Sequence, residues 1–305
     1  MKRALTILFA TTIALNGFTQ SKVNFSQRMA TPSYFFPEFT GWHGGLQANL
    51  QYRNQWPGVP ANYNTYNACV DGYVDKIYSG IGINLGHDRA GSGGLIVTNN
   101  MELNLSPKLS TKNGITFMPA LSGKITHQTV DWTQLTFNQP DPSIPTGITS
   151  IYNASVGAGL GIIFKETFLA AHVHDINQPN QSFFAGSSNK MPRTYSFLAG
   201  RVFTYENIKV TPSVSYHQQA GFSLLTVACN VQYRWIYVGG KYDLNGFAGF
   251  ALGGELKERV RLSYSYDLTT SPLASQMTGS HEIALRVWLY KDRAKKQFLS
   301  NLALM

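Results

Sequence analysis

The stretch SLLTVACNVQYR, Ser223 to Arg234, decides how this chain is read. Leu225, Val227, Cys229, Val231 and Tyr233 fall on one face of an extended strand, and Thr226, Asn230, Gln232 and Arg234 on the other. Successive side chains of a strand point to opposite sides, so this period of two makes one wall apolar and the other polar. The same division recurs in HEIALRVWLY, where Ile283, Leu285, Val287 and Leu289 oppose Glu282, Arg286 and Tyr290. In KVTPSVSYH, Val210, Val214 and Tyr216 oppose Thr211, Ser213, Ser215 and His217.

Extended along the chain, the pattern predicts about fourteen strands of roughly ten residues, the length and even count of a transmembrane barrel. The first is expected at 39–53 and the last at 280–290. The joints sort by parity. Those after even strands are tight, as at Asp75–Lys76, Lys165–Glu166 and Lys257–Glu258. Those after odd strands include NQWPGVPA from Asn54, DWTQLTFNQPDPSIPTG from Asp131 and DINQPNQSFFAGSSNK from Asp175. Two odd joints, after the ninth and eleventh strands, are short. An outer-membrane barrel alternates short periplasmic turns with longer external loops, whereas a secreted β-sandwich or propeller has no reason to do so. Tyr52, Trp235 and Tyr290 sit at strand ends, where an aromatic girdle belongs. The expected fold is therefore all-β: a single-domain transmembrane β-barrel of about 14 antiparallel strands in the outer membrane.

Composition agrees. The 305 residues are 43% hydrophobic and 13% charged, with a mean hydropathy of −0.14, which argues against both disorder and a bundle of membrane helices. Lys2 and Arg3 precede the apolar run Ala4 to Leu15, so residues 1–19 read as an export signal, too short to span a bilayer. Removing it lowers the net charge of +9 by two. Export makes nucleic acid an improbable partner and leaves acidic polymers or outer-membrane lipid. Cys69 and Cys229 fall on opposite strand faces, so two free, packed thiols are expected rather than a disulfide. Residues 20–38 form a mature N-terminal segment, 39–290 the barrel and 291–305 a basic tail.

HVHDINQPN, His172 to Asn180, invites an enzymatic reading. His172 and His174 share the inward face, about 7 Å apart along the strand, while Asp175 turns away, so no third metal ligand is indicated. A hydrolase would need a serine held near a histidine; Ser182 and Ser187 lie in the next loop without a nucleophile elbow. The expectation is no catalytic, metal or cofactor site, with the histidines bonding the following turn. Gly157, Gly159 and Gly161 lack the helix that a dinucleotide site requires. With Gly80, Gly82 and Gly86 they make room for tight curvature, or for a peptide lying against the wall. The candidate is the segment Phe25 to Pro37 as a partial plug, led by Phe25, Ser26 and Gln27.

The ordered pieces FSQRMATPSYFFPEFTG, QWPGVP, GIGINLGHDRAG, HVHDINQPNQSFF, YSYDL and GSHEIALRV resemble the PorP/SprF family of type IX secretion and gliding-motility outer-membrane proteins over most of the mature chain. The resemblance implies a non-enzymatic barrel that engages periplasmic motor components, other secretion-system proteins or a surface adhesin. It marks Trp56, Pro57, Gly58, His172, His174, Asn177, Pro179 and Asn180 as loop-shaping or partner-binding positions. Phe25, Ser26 and Gln27 match the N-terminal signature, whose asparagine-proline elements are here TP and FP. The alternative is a porin or transporter for small or hydrophobic solutes. The inward faces read as Gly, Ala, Ser and Asn, which define no charged filter.

Overall fold

The computed structural model describes residues 25–59, 61–135, 147–184, 186–270 and 279–290; the expected signal and the basic tail lie outside them. The strands are β1 (Leu46–Gln55), β2 (Tyr63–Val74), β3 (Ser79–Ala90), β4 (Ile96–Pro107, resumed at Leu109–Ser110) and β5 (Ile115–Asp131). They continue as β6 (Ile148–Phe164), β7 (Thr167–His174), β8 (Thr194–Arg201, resumed at Phe203–Tyr205), β9 (Ile208–Gln219) and β10 (Phe222–Tyr233). The last four are β11 (Ile236–Asp243), β12 (Phe247–Leu256), β13 (Val260–Thr269) and β14 (Ser280–Tyr290). All pair antiparallel in chain order, and β14 returns to pair with β1, Leu285 opposite Leu50. The result is a closed barrel of 14 strands. Closure gives every strand a neighbour on both sides, with Ile148–Gly157 of β6 projecting past β7.

The walls are inverted relative to a soluble protein. On β2, Tyr66 and Val70 are exposed while Thr65, Asn67, Cys69 and Asp71 are buried. Leu103, Leu121, Phe250 and Leu262 are likewise exposed outside. A contiguous apolar exterior around a polar interior suits hydrocarbon, not water. Exposed Tyr78, Phe164, Tyr205, Trp235 and Tyr290 ring the short-turn end. Turns there are tight because Lys165, Glu206 and Arg234 take left-handed backbone conformations, with φ of 55°, 50° and 53°, which reverse the chain within about two residues.

Two expectations need correction. The first strand begins at Leu46, not near Phe39, because Pro37–Phe39 forms a 3-10 turn and Gly41 and Gly44 adopt φ of 66° and 69°. Both thiols are free, but only Cys69 is packed; Cys229 is exposed on the outer wall.

Candidate functional site: the lumen and its loops

Residues 25–45 run inside the barrel. Pro32 and Pro37 open two short turns, the helix Pro32–Phe35 and the 3-10 turn Pro37–Phe39; the fixed φ of proline favours each start. Phe25, Tyr34, Phe35, Phe36, Phe39 and Trp42 are buried against Met118, Ile163, Phe168, Leu198 and Val202 of the β5–β8 wall. The rings meet edge to face, with Phe39 5.7 Å from Trp42 and 6.2 Å from Phe168, the geometry aromatic quadrupoles favour. Each large side chain buried this way contributes about 1.5–3 kcal/mol.

The wall makes room through glycine. A Cβ at Gly80 would overlap the Thr40 carbonyl, and one at Gly159 would overlap Glu38 Oε1 and the Ala171 carbonyl. Gly82 and Gly161 lie against Thr40 and Glu38 in the same way. Gly159→Val is expected to displace Glu38 and destabilise the barrel by about 1–3 kcal/mol. Gly123→Val, where nothing lies within 4 Å, should cost less than about 0.5 kcal/mol. Urea unfolding in lipid vesicles measures both.

The histidines bond this segment rather than the NQPN turn. His172 Nδ1 lies 2.7 Å from Glu38 Oε1 and Nε2 lies 3.2 Å from Ser122 Oγ. His174 Nε2 donates to the Phe35 carbonyl at 3.2 Å. The expectation failed because the partners lie 134 and 139 residues away in sequence, and parity reports facing only. Ser122, His172 and Glu38 stand in the order of a hydrolytic triad. Ser122, however, is mid-strand in β5, opposite Asn104 on one side and Gly157 on the other. Its amide belongs to the ladder, not to an oxyanion hole. Asp175, expected to turn away, follows β7 at φ 56°, is buried and pairs with Lys124 at 2.8 Å. Among the described residues no group of three His, Cys, Asp or Glu side chains gathers as a metal site.

On the opposite wall the lumen is charged, contrary to the expected Gly, Ala, Ser and Asn lining. Arg53 of β1 pairs with Asp267 of β13 at 2.9 Å and Glu282 of β14 at 3.3 Å. Lys241 of β11 joins Asp243 at 3.1 Å and Asp267 at 3.4 Å. The N-terminal segment enters this network. The amides of Ser26 and Gln27 donate to Glu282 at 2.7 and 3.0 Å, and the Ser26 hydroxyl donates to Asp267. Arg286 donates to the Met29 and Ala30 carbonyls at 2.9 and 2.6 Å. Arg28 bonds Ser215.

The remaining marked residues lie in loops at the far end. Trp56, at φ 57°, donates its amide to the Gly279 carbonyl at 3.2 Å and accepts from Val59 at 3.0 Å. Its ring packs on Tyr63 at 5.7 Å, and Pro57 and Gly58 beside it are exposed. Asn177 lies against the projecting part of β6: its oxygen accepts from Val156 at 3.1 Å and its amide donates to Ala154 at 2.9 Å. Asn180 closes the next loop by accepting from Ser182 and Asn189 and donating to Ser187, while the Pro179 carbonyl accepts from Met191. Phe183 and Phe184 approach Trp132 of the neighbouring loop at 6.5 and 6.1 Å.

Sequence reading missed Glu38, Arg53, Asp267, Glu282 and Arg286 as a set. Each charge on β1, β13 and β14 was legible as inward by parity, but nothing local shows that barrel closure makes these strands neighbours.

A family model described as type IX secretion system membrane protein PorP/SprF matches residues 17–287. No curated protein matches the chain. Among solved structures, a Pseudomonas aeruginosa FadL homologue is 11% identical at a TM-score of 0.45, covering 80% of this chain and 90% of that one. A triple mutant of Rhodopseudomonas blastica porin is 10% identical at 0.35, covering 80% and 99%.

Proposed function

The chain belongs to the PorP/SprF family of type IX secretion system membrane proteins, and from that premise we propose that it works as a plugged, non-enzymatic barrel whose exposed ends hold protein partners. It is an outer-membrane component of that secretion machinery. On our reading the described part of the mature N-terminal segment, 25–38, anchored by Phe25, Ser26 and Gln27, is the plug. The long loops shaped by Trp56, Pro57, Gly58, Asn177, Pro179 and Asn180 are the external partner surface, for an exported adhesin or other cargo. The short-turn face and basic tail serve periplasmic secretion or gliding components.

The observation that carries this reading is the two-sided anchorage of the N-terminal segment. Aromatic side chains hold it to β5–β8, and hydrogen bonds to buried charged side chains of β1, β13 and β14 tie down Ser26, Gln27, Met29 and Ala30. Beside it, between Met29, Phe36 and the wall at Ser213, Ala228 and Gly240, lies a cavity of about 60 Å³, room for a few water molecules. A barrel so filled has surfaces rather than a channel to offer. His172 and His174 hold the plug and do not meet a partner.

Purifying the barrel from native membranes in mild detergent, with a tag in the 175–193 loop, tests the proposal. Co-purification of secretion components or a large exported protein is the expected result. Replacing Trp132, Phe183 and Phe184 together by serine should reduce that recovery by about tenfold, the loss of one interfacial hot spot. Recovery of the barrel alone, with steady conductance in planar bilayers, would favour a pore.

A further inference from the structure

Cross-strand register aligns an unusual belt on the outer wall. Tyr52 of β1 stands opposite Tyr66 of β2, Tyr66 opposite His87 of β3, and His87 opposite Asn99 of β4. Asn99 stands opposite His127 of β5, and His127 opposite Tyr152 of β6. The side chains form a polar-aromatic row, in contact from Tyr52 to Asn99 and again at His127 and Tyr152. Tyr52 and Tyr66 rings lie 4.9 Å apart, His87 Nδ1 is 2.7 Å from Asn99 Oδ1, and His127 stacks on Tyr152 at 4.3 Å.

The rows on either side differ in chemistry. One step toward the short turns, about 7 Å away, the register runs Leu285, Leu50, Ala68, Leu85, Met101 and Ile125. One step toward the long loops it runs His281, Asn54, Asn64, Arg89, Val97 and Thr129. No residue of these three rows is a carboxylate; Asp88, next to Arg89, alternates to the lumen side and bonds Thr65. Where β14, β1, β2 and β3 meet, the small Ala68 leaves a groove of about 630 Å³ between Leu50, Leu85, Ile283 and Leu285, rimmed by Tyr52, Tyr66 and His87.

We infer that this groove and belt bind a phosphorylated lipid of the outer leaflet. An acyl chain occupies the apolar groove, hydroxyl-bearing headgroup atoms meet the Tyr-His-Asn belt, and phosphate reaches the level of Arg89. The order from floor to rim follows a lipid from tail to phosphate. The groove opens directly onto the lipid-facing wall, so its occupant arrives from the bilayer. Arg89 supplies a cation at the level of an anionic headgroup, beside rows that hold no carboxylate among the described residues. Ordinary girdles place Tyr and Trp at this depth as separate anchors; here two imidazoles and a carboxamide join them in one aligned row, whose Tyr52, Tyr66, His87 and Asn99 line a cavity.

The test is native mass spectrometry of the full barrel in detergent, titrated with bis-phosphorylated lipid A and, separately, with phosphatidylcholine. The expected result is preferential retention of lipid A. Arg89→Gln should weaken it about fivefold, the effect of one cation near an anionic surface. Ala68→Phe, which fills the groove, should weaken it about tenfold, as losing about two buried methylenes would. Both substitutions lie on the outer wall, and heat-modifiable gel migration verifies that each variant is folded. Equal retention of the two lipids, or unchanged retention of lipid A in both variants, overturns the inference. A photo-crosslinking residue at position 68 in native membranes gives a second reading: labelled lipid supports the site, and a labelled protein overturns it in favour of a protein interface.

Discussion

Arg53→Met is expected to destabilise the barrel by about 3–5 kcal/mol, the cost of leaving buried charge without its partner. Arg53 faces Asp267 and Glu282, and both carboxylates have almost no contact with solvent. Removing the guanidinium leaves two like charges side by side, with Lys241 reaching only Asp267. The Ser26 and Gln27 amides on Glu282 cannot replace a full positive charge. Adding Asp267→Asn and Glu282→Gln to Arg53→Met should recover much of the loss, because the uncompensated charges go with it. Urea titrations of the barrel in lipid vesicles measure both. If the triple variant is no more stable than Arg53→Met alone, the penalty comes from packing, and the charge network is not the anchor.

Deleting residues 25–42 is the second large effect. With the segment present, the bilayer should stay near its baseline current. Without it, the interior of a 14-stranded barrel should show discrete, ion-conducting openings. The wall at Gly80, Gly82, Gly159 and Gly161 would then face water instead of Thr40 and Glu38. Inward Arg53, Lys241 and Arg286 would line the new passage, so the current should depend on the sign of the ion. Loss of the aromatic cluster also costs stability, so gel migration of the unheated barrel must first show that it is closed. A folded but silent barrel would mean that something other than residues 25–42 seals the lumen. Stabilised amide exchange in Phe25–Trp42 of the intact protein would independently report an anchored segment.

Much of the architecture was legible without coordinates. The strand faces at Leu225, Val227, Val231 and at Glu282, Arg286 follow from alternation, which is a property of the backbone itself. The parity of the connections, from Lys165–Glu166 to the long loop after His174, follows from antiparallel strands sharing two ends. The inward glycines of β3 and β6 already suggested a peptide against the wall. The first strand was less legible: EFTGWHGGLQANL reads as extended, but two glycines at positive φ turn its first part into the lumen.

The sequence by itself determined which way the side chains within a strand point, because a strand's facing is set within two residues of chain. Only the tertiary structure decided what each side chain meets. Arg53 finds Glu282 across 229 residues because the last strand closes on the first. His172 finds Glu38 across 134 because the N-terminal segment crosses the lumen. Tyr52, Tyr66, His87, Asn99, His127 and Tyr152 become one belt because five ladders share a register. Facing is a local property of the backbone; register and closure are settled by burial summed over the whole barrel, and no single stretch of the chain contains that sum.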